Sequence, residues 1–188
     1  MKILVFDNYD SFTYNLVQMI NELTTASVDV YRNDEIALEK VKLYDKILLS
    51  PGPGVPSESG LLLPIIKEYA ATKSIFGVCL GQQAIAESFG GSLSNLSKVY
   101  HGIATDVQLT NPSTLFEGLP TTFKVGRYHS WVVNEHDLPK DLIITSKDED
   151  GYIMSLEHTR FDVKGVQYHP ESVLTPEGSQ IISNWLKN

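Results

Sequence analysis

The chain has 188 residues, 42% of them apolar and 20% charged, with a formal net charge of −8. That length buries roughly 70% of the surface an unfolded chain exposes, so one domain with a real core is expected over residues 1–188. The acidic balance argues against nucleic acid, whose phosphates are gripped mainly by Lys and Arg. No apolar run approaches the roughly 18 residues of a membrane span. The single cysteine, Cys79, excludes an intrachain disulfide and fits a reducing cytoplasm.

The chain opens on the apolar run Lys2 to Phe6, with no charged leader or cleavage pattern before it. A strand is expected there, not a signal peptide. Asp10 and Ser11 offer N-cap oxygens, and Phe12, Leu16, Val17, Ile20 and Leu23 recur at helical spacing. Val28 to Tyr31 reads as a second strand. Lys46 to Ser50 reads as a third, nearly all apolar, as a strand covered on both faces should be. The loop Pro51-Gly52-Pro53-Gly54 follows, then a helical stretch near 59–71. A fourth strand runs from Ser74 to Cys79, and a short helix after it ends at Gly90-Gly91. Beyond this the character changes: residues 99–109, 121–133 and 141–168 read as strands, with Asp148-Glu149-Asp150-Gly151 as a hairpin turn. Pro176 and Glu177 open a last helix with Ile181, Ile182, Trp185 and Leu186 as its buried stripe. The expected fold is α/β: an open, mostly parallel sheet with helices on both faces and an antiparallel β flank.

The chemistry centres on Phe76-Gly77-Val78-Cys79-Leu80-Gly81-Gln82-Gln83. An apolar strand runs straight into a helix, with cysteine at the joint and glycine two residues away on each side. This is the form of a nucleophile elbow. The helix N-terminus behind it presents free N–H groups and a positive dipole end, which favour a thiolate and an oxyanion. The bland alternative is a buried cysteine acting as a small hydrophobe.

A thiolate needs a base. Of five histidines, His169 stands out, because it ends the strand Lys164 to Tyr168 and is followed by Pro170-Glu171. In extended backbone residues i and i+2 point the same way, which would set Glu171 beside the ring to hold its tautomer. His-x-Glu also suits a metal pair, but no third ligand or second cysteine accompanies it. The third element is the loop Ser50 to Pro56, placed at the carboxyl edge of the sheet where open α/β folds bind ligands. Its glycines allow close backbone approach and its prolines stiffen it. It lacks the pattern of a phosphate loop. Its Pro-Gly-Val-Pro run matches a polyproline ligand only superficially, because the loop sits between core elements.

Together SPGPG (50–54), GVCLGQQ (77–83) and QYHPES (167–172) resemble the class I, triad glutamine amidotransferases over nearly the whole chain. The opening Asp7 to Leu16, with Arg127 to Val133 and His101-Gly102, is similar to anthranilate synthase component II. It also resembles the close relative of that protein, the glutaminase subunit of 4-amino-4-deoxychorismate synthase. The resemblance implies Cys79 as nucleophile with His169 and Glu171 completing a triad. It implies the Leu80 and Gly54 N–H groups as the oxyanion hole. Gly52, Gln83, Ser130 and Trp131 would hold the substrate, L-glutamine. Two positions depart from the family pattern: Trp131 stands where leucine or phenylalanine is usual, and Ile103 where lysine is frequent.

The implied reaction is acyl transfer through a Cys79 thioester, with no cofactor or metal. Ammonia is mostly protonated near neutral pH, and the length accommodates no synthase. The resemblance therefore implies a separate chorismate-binding subunit, component I, as partner. Anthranilate is the expected product of that complex, with the aminodeoxychorismate pathway, or service to both, as the alternative. Two other readings remain: a cysteine peptidase on a similar sheet, against which Gln83 and the Pro-Gly-Pro-Gly loop speak, and a non-catalytic subunit, against which the filled triad positions speak.

Overall fold

The computed structural model describes residues 1–188. Its strands are β1 (Lys2–Asp7), β2 (Ser27–Arg32), β3 (Lys46–Leu49), β4 (Ser74–Val78), β5 (Leu93–Asn95), β6 (Ile103–Leu109), β7 (Thr122–Arg127), β8 (Trp131–Val133), β9 (Leu142–Asp148), β10 (Ile153–His158) and β11 (Val163–Val166). The α-helices are α1 (Thr13–Leu23), α2 (Leu62–Tyr69), α3 (Leu80–Ser88) and α4 (Gly178–Lys187). Nine strands form one sheet in the order β2-β1-β3-β4-β11-β10-β9-β6-β7. The β2 to β11 half is parallel and the rest antiparallel. The expected flank is thus the same sheet continued. Strands β5 and β8 pair as a separate antiparallel ribbon.

Period-two alternation divides the strand residues between two cores. Leu4, Phe6, Ile47, Leu49 and Ile75 face α2 and α3. Ile3, Val5, Leu48, Phe76 and Val78 face α1 and α4. Each central strand is apolar on both sides, which is why it reads as a run. On α4 the expected stripe Ile181, Ile182, Trp185 and Leu186 is buried, and Trp185 Nε1 donates to Ser74 Oγ at 3.1 Å. Lys46, buried at the opposite end from the loops, caps that helix by donating to the Trp185 carbonyl at 3.0 Å. No helix is long and apolar enough to cross a membrane.

Several local expectations are corrected. Helix α1 starts at Thr13 without a side-chain cap on its first turn: Asp10 Oδ2 accepts from the Phe12 N–H instead, and Ser11 makes no hydrogen bond. Phe12 is 36% exposed, outside the buried stripe of Leu16 and Ile20. The stretch 121–133 is two strands in different sheets, because residues 128–130 carry the chain from β7 out to the β5 ribbon. The hairpin at Asp148–Gly151 forms as expected, with Gly151 at φ +86° and Asp148 Oδ1 accepting from the Tyr152 N–H.

Candidate active site

Topology brings four chain segments to the carboxyl edge of the parallel strands. Asn8 follows β1, the Pro-Gly-Pro-Gly loop follows β3, Cys79 follows β4 and Gln167 follows β11. Strand β11 makes the site. It inserts beside β4 in parallel register, Val166 opposite Val78, and the Cys79 N–H donates to the Val166 carbonyl at 2.8 Å. A segment far downstream in the chain is thereby delivered next to the thiol.

Cys79 sits at φ +53°, ψ −100°, as the residue preceding α3. Positive φ in a residue with a Cβ is strained backbone and persists only where the surroundings enforce it. The enforcement is visible in the flanking glycines. A Cβ on Gly77 would lie 2.5 Å from the Gly81 carbonyl carbon, and one on Gly81 would lie 2.6 Å from the Leu49 carbonyl oxygen. The elbow is packed backbone against backbone on both sides.

The Pro-Gly-Pro-Gly wall of the cleft is similarly tight. A Cβ on Gly52 would meet Asn8 Cβ at 2.6 Å and Leu80 Cδ2 at 2.9 Å. Asn8 clamps the loop: its N–H donates to Ser50 Oγ at 2.8 Å and its Nδ2 to the Ser50 carbonyl at 2.9 Å. Gly54 takes φ +73°. Neither the Leu80 nor the Gly54 N–H donates to any group within the protein. Both expected oxyanion donors are therefore free, Leu80 next in the chain to Cys79 and Gly54 lining the same cavity as the thiol.

His169 and Glu171 are buried and bonded, His169 Nδ1 to Glu171 Oε1, at 2.6 Å. The pairing expected from sequence is present, but the backbone reason is different. Strand β11 ends at Val166, and His169-Pro170-Glu171 lies in a turn closed by the Ser172 N–H on the His169 carbonyl at 3.2 Å. The turn, not the pleat, sets the carboxylate beside the ring. Tyr128 packs edge-on against the imidazole at 4.8 Å between centroids. His169 Nε2 makes no aligned hydrogen bond, and the thiol is the neighbour acting on it. Burial works against a charge on this ring. The Cys79 thiol and then the Glu171 carboxylate outweigh it, raising His169 from 6.5 to about 10.

A cavity of about 230 Å³ opens over the thiol, lined by Gly52, Gly54, Cys79, Gln83, Ser130 and Trp131 among others. Every substrate-contact position expected from sequence is in that wall. The Ser130 carbonyl is occupied by the Leu96 N–H at 2.6 Å, while the Ser130 N–H has no backbone partner. That segment thus offers a donor to an anionic group. A second cavity, about 490 Å³, meets the same thiol from the side of His169, Phe12 and His101. No group of three His, Cys, Asp or Glu side chains is arranged to hold a metal ion.

Sequence reasoning assigned no role to three supports of the site, although Asn8, Arg127 and Gln167 stand in the runs that carry the resemblance. Asn8 is one, although its position just past β1 puts it at the functional edge by the topology rule alone. The second is the buried pair Arg127–Asp148 at 2.6 Å, with Arg127 also stacked on the Tyr100 ring at 3.5 Å. The third is Gln167, whose Nε2 lies 3.5 Å from Cys79 Sγ. It opens the QYHPES run (167–172) that carries the resemblance, but nothing local in the sequence gives it a role.

Comparison with known proteins agrees with this geometry. Residues 4–188 match the family model for glutamine amidotransferase class I. The chain is 46% identical over 192 residues to an anthranilate synthase beta subunit 1 from Oryza sativa, covering 98% of this chain and 66% of that one. It is 41% identical over 187 residues to the aminodeoxychorismate/anthranilate synthase component 2 of Bacillus subtilis, covering 98% and 95%. Of a bifunctional relative from Thermotoga maritima the chain spans only 32%. The crystal structure of a putative GMP synthase subunit from Thermoplasma acidophilum superposes with a TM-score of 0.88 at 26% identity, covering 100% of this chain and 92% of that one. The elbow, the paired imidazole and carboxylate, and the match from residue 4 to residue 188 lead to one assignment: the chain belongs to the class I glutamine amidotransferases.

Proposed function

We propose that the chain, as a single amidotransferase domain, hydrolyses L-glutamine to glutamate and ammonia and passes the ammonia to a chorismate-using synthase. The observation that carries this is the setting of Cys79. Its strained backbone lies between the buried His169–Glu171 pair and a cavity walled by Gly52, Gly54, Gln83, Ser130 and Trp131.

In this reading Cys79 Sγ attacks the amide carbon of glutamine. The carbonyl oxygen gains the charge and is met by the Leu80 and Gly54 N–H groups, each contributing about 3–4 kcal/mol to the transition state. As the tetrahedral species collapses, the C–N bond breaks and His169 gives its proton to the leaving nitrogen. Ammonia and a glutamyl thioester result. Water then attacks the thioester, losing its proton to His169, and glutamate leaves with the thiol restored. Glu171 holds Nδ1 throughout and offsets the imidazolium charge. The cavity on the His169 side supports an exit for ammonia there.

The names of the relatives support a chorismate-using partner. They divide between anthranilate and aminodeoxychorismate synthesis, and one of them carries both names. Anthranilate synthesis is the reading adopted, with the chain serving a separate component I in the cytoplasm. The test is a complex with that synthase carrying Cys79→Ser. Glutamine-dependent product should vanish while synthesis from ammonium salts persists. Glutamine-dependent turnover surviving the substitution would overturn the reading, and a product other than anthranilate would redirect the pathway.

A further inference from the structure

We infer that Gln167 is a catalytic residue, a neutral hydrogen-bond donor to the Cys79 thiolate held in orientation through Gln83 by the Trp131 carbonyl. This rests on the glutaminase reading of the site. Its Nε2 is 3.5 Å from Sγ, an ordinary N–H···S separation, and its side chain is wholly buried.

An amide side chain has two ends, and only the donor end helps an anion. The surrounding bonds settle which end faces the sulfur. The Trp131 carbonyl can only accept, and Gln83 has an amide atom 3.0 Å from it, so that atom is Nε2. The same Nε2 lies 3.2 Å from Gln167, which must answer with Oε1. Gln167 Nε2 is left for the thiol. The same carbonyl is fixed independently from its other side. Arg127 Nε can only donate, and it donates to His129 Nε2 at 3.1 Å. The proton of a neutral His129 therefore sits on Nδ1, which donates to the Trp131 carbonyl at 3.0 Å. Burial and then Arg127 lower His129 to about 3, so the ring is neutral at working pH. Two donors saturate the Trp131 carbonyl, and neither amide can flip without facing like against like.

A thiolate accepting a hydrogen bond is favoured over the thiol, and Gln167 supplies that bond without a titratable proton of its own. The bond acts where the sulfur carries charge: before it attacks the amide carbon, and again as it leaves the hydrolysed thioester. Gln83 spends both Nε2 hydrogens inside the protein, so what it offers the cavity is Oε1, an acceptor suited to the amino or amide hydrogens of glutamine.

The test reads the thiol directly. Alkylation of Cys79 by iodoacetamide is followed against pH in the wild type, Gln167→Met and Gln167→Glu. Methionine keeps the volume and removes the donor; glutamate keeps the shape and presents acceptors to the sulfur. The alkylation midpoint should move up by about one pH unit in Gln167→Met, a tenfold loss of thiolate, and further in Gln167→Glu. Glutamine turnover should lose about tenfold in kcat with KM within about twofold. In the unsubstituted protein the Gln167 side-chain amide nitrogen resonance should titrate in step with the thiol and cease to do so in Cys79→Ala, a readout that does not depend on either variant folding. An unmoved resonance, or an alkylation midpoint unchanged in both variants, overturns the inference. Loss of glutamine-dependent turnover in Cys79→Ser would leave the glutaminase reading standing in that event.

Discussion

Replacing Gly77 by alanine tests the claim that packed backbone holds the nucleophile in place. The new Cβ would lie 2.5 Å from the Gly81 carbonyl carbon, 2.6 Å from its oxygen and 2.8 Å from the Gln82 nitrogen, where ordinary contact begins at 3.4 Å. All three are backbone atoms of the first turn of α3, so no side chain can swing aside; the turn itself must retreat by about 0.9 Å. It has little room, because Gly81 is itself pressed against the Leu49 carbonyl of β3. Overpacking of this kind costs about 1–3 kcal/mol. In a chain of this size that lowers the Tm by roughly 2–12 °C. Cys79 and the Leu80 N–H lie between the two glycines and move with the turn. A displacement near 1 Å at a reacting group costs on the order of 10²-fold in rate. Thermal unfolding and glutamate release from glutamine measure the two effects, and synthesis from ammonium salts in the complex checks that the chain still folds and docks. A Gly77→Ala protein with wild-type Tm and turnover within twofold would refute the steric account of the elbow.

Asp148→Ala should lower stability by about 3–5 kcal/mol in denaturant unfolding, because it strands the Arg127 guanidinium, 1% exposed, without its partner. A loss under about 1 kcal/mol would show that the pair is not structural. Stability should also form a dome in pH. His129 is lowered to about 3, so each pH unit below 6.5 favours the unfolded chain by about 1.4 kcal/mol until that value is reached. His169 is raised to about 10, so its contribution is whole below pH 6.5 and is lost between 6.5 and about 10. Denaturant midpoints against pH should therefore have a shallower acid limb in His129→Gln, where Asp162 still contributes, and a shallower alkaline limb in His169→Gln. Limbs unchanged in these variants would refute the assignments.

Much of the parallel half was legible because its physics is local. A strand covered on both faces must be apolar at every position, as Ile47 to Leu49 are. The glycine frame around Cys79 is likewise forced by close approach, which leaves its mark on the sequence itself. The His169–Glu171 contact was anticipated for an extended backbone and is delivered by a turn, because β11 gives out at Val166. Strand β11 has no local feature that says it pairs with β4; that pairing depends on how the long stretch between them folds. The role of Gln167 is hidden for the same reason, since the partner that orients it lies at Gln83. Ser11 looks like a cap in sequence and is none, because Asp7 and Asp10 take up the polar groups at the start of α1.

The central claim is that Cys79 attacks the side-chain carbonyl of glutamine. Its most direct test treats the protein with a glutamine analogue whose amide is replaced by an electrophilic diazoketone, followed by intact-mass and peptide mass spectrometry. One cysteine in the chain makes the outcome unambiguous. A single adduct at Cys79, slowed by excess glutamine and absent in Cys79→Ser, is the result the account predicts. An unlabelled thiol, or the same labelling in Cys79→Ser, would contradict it.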